Sequence, residues 1–369
     1  MKSILRTSLA SLGLLSLSAC GTLEAEQAAE DGALDAQSHW RECNPLPRRG
    51  AQLVRGRELL IAIEDGGAVT VDPARGTVQR RYATGPNAFG AIYSADGRRA
   101  FVTDKNAGTL SELDRGSDRV LGAVTVGTTP QQPGLTADGR MYIPLSGEAG
   151  IAVVDLGGAR GAARLSRKLA TGTGTKPHIV SVSPDGRRLW ATIQGQDPRV
   201  LSVDLSSGGE GAVTDYRYDL VPRVVAATNS GAFFTGHHST GLHRADAMAG
   251  TVATPYMDVF GNASEARKQI EGVAATADGG LVSLTHEGRK ALVALKFDGT
   301  RVTVVRDVAN LSAPPYWTTL DPSGLVAYVS IPGSGSVEAH DLTTCRRAPL
   351  WTATVGGKPK RMAVTSVAN

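Results

Sequence analysis

Ser183-Pro184-Asp185-Gly186-Arg187-Arg188-Leu189-Trp190-Ala191-Thr192 is a tight turn followed by a short apolar strand. Asp supports such a turn through its side chain, and Gly accepts the positive φ that follows, so the chain reverses before Leu189. The same Ser/Thr-x-Asp-Gly turn recurs at Ser94-Ala95-Asp96-Gly97, Thr136-Ala137-Asp138-Gly139 and Thr276-Ala277-Asp278-Gly279. Degenerate copies stand at Thr228-Asn229-Ser230-Gly231 and Asp321-Pro322-Ser323-Gly324. After the turn comes an apolar strand, often opened by an aromatic: Phe101-Val102-Thr103, Tyr142-Ile143-Pro144, Phe233-Phe234-Thr235 and Tyr328-Val329-Ser330. Leu60-Ile61-Ala62 and Leu281-Val282-Ser283 are non-aromatic copies. A further strand closes on Asp72, Asp114, Asp155, Asp204, Asp246, Asp298 or Asp341, at a mean spacing of about 45 residues.

A period of 40–50 residues built from short strands predicts propeller blades rather than a helical solenoid. Seven copies predict an all-β fold over residues 51–369, a seven-bladed β-propeller of four-stranded antiparallel blades. The first complete copy starts at a second strand, Glu58 to Glu64, whereas Gly356-Gly357-Lys358-Pro359 and Met362 to Ser366 form a first-strand copy with nothing after it. The C-terminal strand is therefore expected to pair in blade one and close the ring, covering an edge that would invite aggregation. Ala51–Val54 is the rival for that position. Of the 369 residues, 41% are hydrophobic and 20% charged, which excludes a disordered chain, and a net charge of +4 is too mild for a nucleic-acid binder.

Gly127-x-x-Pro130 with Asp138-Gly139, Tyr142-Ile143 and Val153-Val154-Asp155 resembles the YVTN-type β-propeller repeat, and so does Gly174-x-x-Pro177 with its turn and strands. That repeat belongs to a superfamily with lactonase-like members, and the resemblance covers roughly residues 51–369. It implies the propeller fold and leaves function open, because many roles share the scaffold.

The N-terminus reads as an address. Lys2 and Arg6 precede an apolar run, Leu9 to Leu17, too short to span a membrane as a stable helix, and small residues follow before Cys20. Leu17-Ser18-Ala19-Cys20 resembles the lipobox of bacterial lipoproteins. The resemblance implies a signal peptide over residues 1–19, acylation of Cys20, palmitate among its chains, and export to a membrane anchor. Gly21 after the cysteine implies the outer membrane, on its periplasmic side or at the cell surface. Residues 20–50 then form an acidic flexible tether, with Glu24, Glu26, Glu30, Asp31 and Asp35 and almost no large apolar residue. Cys43 and Cys345 remain, and an oxidising compartment predicts a disulfide between them, the alternative being two separate thiols.

In an up-and-down blade, the start of the first strand and the turn between strands two and three lie on one face. That face is predicted to collect His178, Arg223, Gln131, Gln132, Tyr316 and Trp317 at first-strand starts. His237 and His238 fall in the turn of blade five, and His286 with Glu287 in that of blade six. A rim with a few convergent polar groups at a channel mouth is a candidate site for a small molecule or a protein partner. His243 and His340 fall inside third strands and read as packing residues; the repeated aspartates read as turn caps. Asn262 to Gln269 suggests a capped helical turn on the same face. The run Arg160, Arg164, Arg167 and Lys168 reads as a solvated loop. No His-Glu-x-x-His, Gly-x-Ser-x-Gly, Gly-x-x-x-x-Gly-Lys or Gly-x-Gly-x-x-Gly occurs, and Cys-x-x-Cys-His is also missing. No catalytic residue, metal or cofactor is assigned. The expected role is a lipid-anchored extracytoplasmic binding or assembly module without chemistry of its own. The alternative is a propeller enzyme, a lactonase-type hydrolase or a periplasmic redox protein, with its site at the channel mouth.

Overall fold

The structure, a computed structural model, describes residues 57–365 apart from 159–160, 218–219, 238–240, 259–269, 299–300 and 345. Cys20, Cys43, Cys345, His238, the signal peptide, the tether and the segment from Asn262 lie outside the described residues. The chain forms seven four-stranded antiparallel sheets, and each blade but one is a run of consecutive strands. Blade 1 is the exception. Its second to fourth strands are Leu59–Ile63, Ala68–Asp72 and Thr77–Tyr82, while its first, innermost strand is Pro359–Val364. Leu59 pairs with Val364, Leu60 with Ala363 and Ile61 with Met362, and beyond the strand the Thr365 amide donates to the Glu58 carbonyl at 3.0 Å. The C-terminal strand thus closes the ring as the repeat count predicts.

Burial falls from the middle of each blade outward. Second strands such as Leu59–Ile63 and Ala100–Asp104 are buried along their whole length because neighbouring blades cover both faces. Fourth strands such as Thr77–Tyr82 and Arg164–Ala170 are largely exposed. Arg164, Arg167 and Lys168 therefore stand on the outer strand of blade 3, not in a loop, where Asp155, Glu210 and Glu148 pair with them. Aromatic side chains fix one blade to the next: Phe233 of blade 5 packs on Phe297 of blade 6 with ring centres 4.8 Å apart. At the ring's seam, the Trp351 Nε1–H of blade 7 donates to the Pro73 carbonyl of blade 1 at 2.9 Å. Near the axis the blades converge so closely that Gly90 has no room for a Cβ, which would lie 2.7 Å from Pro133 and 2.8 Å from the Gln131 carbonyl of the next blade.

The repeated motifs have direct physical roles. Ser94 Oγ donates to Asp96 at 2.6 Å and accepts from the Arg99 amide at 2.9 Å, while Gly97 takes φ +67°. Ser183, Asp185 and Gly186 repeat the arrangement in blade 4. Six of the seven strand-closing aspartates cap the turns that follow them, and the residues after Asp298 lie outside the described ones. Asp72 accepts from the Ala74 amide at 2.8 Å, Asp114 from Gly116 at 2.8 Å, Asp155 from Gly157 at 3.0 Å and Asp204 from Ser206 at 2.8 Å. Asp246 and Asp341 do the same for Met248 and Thr343. These hydrogen bonds, to the hydroxyls of Ser117 and Ser206 and to turn amides, hold Asp114, Asp155, Asp204 and Asp246 below the usual aspartate value of 3.8. A carboxylate whose folded pKa is depressed contributes stability above its unfolded pKa and loses it as pH falls through the folded one. The melting temperature is thus expected to be flat from pH 6 to 5 and to fall below about pH 4. A melting temperature unchanged down to pH 3 in a thermal-shift series would refute the capping role.

Candidate functional site

The innermost strands Ala88–Tyr93, Gly134–Leu135, Thr175–Val182, Pro222–Ala227, Ile270–Ala275, Trp317–Leu320 and Pro359–Val364 surround the axis. They enclose a channel of about 320 Å³, lined among others by Gln132, Ile179, Val225, Val273, Trp317 and Met362. Its walls are mostly apolar or small. Its mouth is charged.

At the mouth stands Arg361, on the closing strand one residue above Met362, and its side chain is 1% exposed. The guanidinium carbon lies 4.4 Å from the ring centre of Phe89 in blade 2 and 4.6 Å from that of Trp317 in blade 7. Cation–π contact favours such a placement, but the Nε and Nη1 atoms of Arg361 are buried with no hydrogen-bond partner. Burial pulls its pKa down to about 10, so it remains a cation at neutral pH. An unpaired buried donor costs about 1–3 kcal/mol, more when charged, which makes these nitrogens an unusual feature.

Further charges surround it. Lys105, in the turn after Ala100–Asp104, places Nζ 3.2 Å from the centre of the same Phe89 ring. Burial, then the field of Arg361, pulls its pKa down to about 7. Arg223, at the start of the blade 5 inner strand, pairs with Glu271 of blade 6 at 2.8 Å. Lys360 pairs with Glu64 at 3.0 Å and lies 4.4 Å from the centre of Tyr316, whose ring meets Phe89 edge-on at 6.2 Å. His178 is buried and places Nδ1 3.0 Å from the Arg223 carbonyl oxygen. Burial and the positive fields of Arg361, Arg223 and Lys105 hold it well below the usual histidine range, so the imidazole is neutral. A neutral ring donating from Nδ1 leaves Nε2 as an acceptor. Glu287 is partly exposed in the turn after Leu281–His286, and burial, then the neighbouring Glu271, raises its pKa.

The predicted rim residues separate on this map. His178, Arg223, Tyr316 and Trp317 gather around Arg361. Gln132 spends its amide on blade 2, donating to the Ala91 carbonyl at 3.1 Å and accepting from the Ala91 amide at 3.4 Å. Gln131 donates to Ser146 Oγ at 2.6 Å. His286 is fully buried and its Nδ1 accepts from the Arg289 amide at 3.0 Å, capping its own turn. His237 is partly buried, and its amide donates to the Val221 carbonyl at 2.7 Å. Among the described residues no group of three or more His, Cys, Asp or Glu could hold a metal ion.

Arg361, Lys360, Lys105, Glu64, Glu271 and Phe89 are absent from the sequence-based set. A signal for two of them exists: Lys360 and Arg361 follow Pro359 as His178 follows Pro177 and Arg223 follows Pro222. Lys105 occupies in blade 2 the same turn that Glu287 occupies in blade 6.

No family model matches the sequence, and no curated protein matches it. Solved structures do. The periplasmic gluconolactonase of Pseudomonas aeruginosa superposes with a TM-score of 0.66 at 18% identity, over 84% of this chain and 99% of that one. A Bacteroides uniformis protein described as a candidate 6-phosphogluconolactonase superposes with a TM-score of 0.67 at 15% identity, over 84% and 99%. Hydrazine synthase of Kuenenia stuttgartiensis superposes with 0.57 at 18% identity, over 69% and 76%. At such identities the likeness shows the seven-bladed fold, which these proteins combine with different chemistries.

Proposed function

We propose that the propeller is a lactone hydrolase acting on a small sugar lactone that carries a negative charge. The observation that carries this reading is Arg361, buried between Phe89 and Trp317 with two nitrogen atoms unpartnered at the channel mouth. Such a guanidinium attracts an anionic substituent or the oxyanion that develops when water adds to a lactone carbonyl. Glu287, whose pKa is raised by burial and then by the neighbouring Glu271, is the general base that takes a proton from the attacking water. Collapse of the tetrahedral intermediate breaks the ring C–O bond, and the proton held by Glu287 passes to the departing alkoxide. The names of two structural neighbours support the same substrate class.

A charged, concave mouth favours chemistry over the scaffold role. A docking module calls for a continuous apolar patch. Among the described residues the large exposed apolar side chains, Val78, Leu121, Leu165, Val213 and Met248, are instead distributed over five blades.

We further infer that the enzyme works outside the cytoplasm, anchored by acylated Cys20 and carrying a Cys43–Cys345 bridge. No helix among the described residues is long and apolar enough to cross a membrane. Palmitate labelling of the wild-type chain but not of Cys20→Ser tests the anchor.

Activity is tested with glucono-1,5-lactone and its 6-phosphate, following acid release against spontaneous hydrolysis. Both lactones are expected to open faster than in buffer, the phosphate ester by the larger factor. Glu287→Gln should lower kcat by about 10²-fold with the melting temperature retained. No rate above background on either lactone would overturn the reading.

A further inference from the structure

We propose that Lys105 is a carbonyl-reactive amine that captures an anionic aldehyde or ketone at the channel mouth as an imine. The placement of the amine, not its basicity alone, carries the inference. Lys105 Nζ and the Arg361 guanidinium lie 3.2 and 4.4 Å from the centre of one ring, Phe89, and the field of Arg361 reaches the amine. The carboxylate whose field reaches Lys105, Glu64, is engaged with Lys360 at 3.0 Å. Lys105 is only partly buried, unlike Arg361, so a ligand can reach it from solvent.

The charged groups facing this amine come from three elements. Arg361 and Lys360 belong to the closing strand, Arg223 to the inner strand of blade 5, and Glu64 to the turn after Leu59–Ile63. Burial and the three cations outweigh Glu64 and pull the pKa down to about 7, so a neutral amine with a free lone pair is accessible at neutral pH. Lysines made nucleophilic in this way, by desolvation beside another cation, are the kind that form imines. The positive fields of Arg361, Lys360 and Arg223 at this amine then select the ligand: a phosphate or carboxylate, with a carbonyl a few bonds away.

The chemistry balances without a further reagent. The Nζ lone pair attacks the carbonyl carbon, and the C=O π electrons move to oxygen, which takes up a proton released by the nitrogen. The resulting carbinolamine loses its hydroxyl group, with the second proton of the nitrogen, as water, and the C=N bond forms. Lactone opening is not required, so this site stands or falls separately from the hydrolase reading.

Reductive trapping on the purified full chain tests the proposal, with pyridoxal 5′-phosphate as the anionic aldehyde and cyanoborohydride as the reductant. Peptide mass spectrometry at pH 7 is expected to show Lys105 modified at least about tenfold faster than the exposed Lys358 and Lys176. Its rate should rise through a midpoint near pH 7, and pyridoxal without the phosphate should label it about tenfold more slowly. Lys105→Arg should lose the adduct at an unchanged melting temperature, which separates a reactive amine from a packing role. Labelling of Lys105 no faster than Lys358 would overturn the proposal, and equal rates for the two aldehydes would overturn its anionic specificity. Hydrolysis of glucono-1,5-lactone by the untreated sample reports on the other reading: adducts without hydrolysis sink the lactonase alone, and hydrolysis without adducts sinks Lys105 alone.

Discussion

Removal of residues 359–369 is expected to abolish the monomeric folded propeller. The deletion leaves Leu59–Ile63, buried along its whole length, as a bare edge facing the axis. It removes the pairings of Leu59, Leu60 and Ile61 and the bond from the Thr365 amide to Glu58. It also strips out Met362, 3% exposed, and the Arg361 contacts to blades 2 and 7. Truncation of a buried Met costs about 2–5 kcal/mol, and each lost hydrogen bond adds roughly 1 kcal/mol. The total is on the order of 5–10 kcal/mol, comparable with the whole stability of an ordinary domain. Size-exclusion chromatography and thermal melting should show aggregation or a non-cooperative transition, with a synthetic peptide of residues 357–369 restoring part of the native signal. A truncated chain that stays monomeric and melts within a few degrees of the full one would refute closure as the source of stability.

Arg361→Met is expected to make the protein more stable and less active. Met fills much of the same volume between Phe89 and Trp317 while removing a cation whose charged form is disfavoured by burial. Replacing buried charges with apolar side chains is often worth about 1–4 kcal/mol, so the melting temperature should rise. The same change removes the donor proposed for the anion. Losing one such donor typically costs about 10²–10³-fold, and kcat/KM for the phosphorylated lactone should fall by that amount. The neutral lactone loses less, because it forgoes only the oxyanion contact. A variant that is destabilised yet turns over both lactones normally would show that Arg361 is a structural residue. Strained or costly arrangements that persist in a fold commonly mark function, and this pair of measurements separates the two meanings at one residue.

The fold was legible because each blade repeats a local physical solution. The Asp-Gly turns, the strand-closing aspartates and the orphan first-strand copy at the C-terminus are decided by neighbours in sequence, so the residues themselves announce them. The mouth was legible only as a face. His178, Arg223, Tyr316 and Trp317 fall there, but Gln131 uses its amide within blade 3, Gln132 spends its amide on blade 2, and His286 is consumed by its own turn. Arg361 escaped notice because Lys358-Pro359-Lys360-Arg361 looks like a solvated basic run. Its burial arises from Phe89 and Trp317, which stand far away in the chain and meet it only when the ring is closed. The Arg164–Ala170 strand was missed for the opposite reason: an outermost strand is solvated and shows no apolar alternation.

Pairing Leu60 with Ala363 also imposes an order on folding. The first blade lacks its innermost strand until Pro359–Val364 has paired with Leu59–Ile63. Until then neither the Phe89–Arg361–Trp317 stack nor the Lys105 environment exists. In such an arrangement the docking of Pro359–Val364 assembles the mouth.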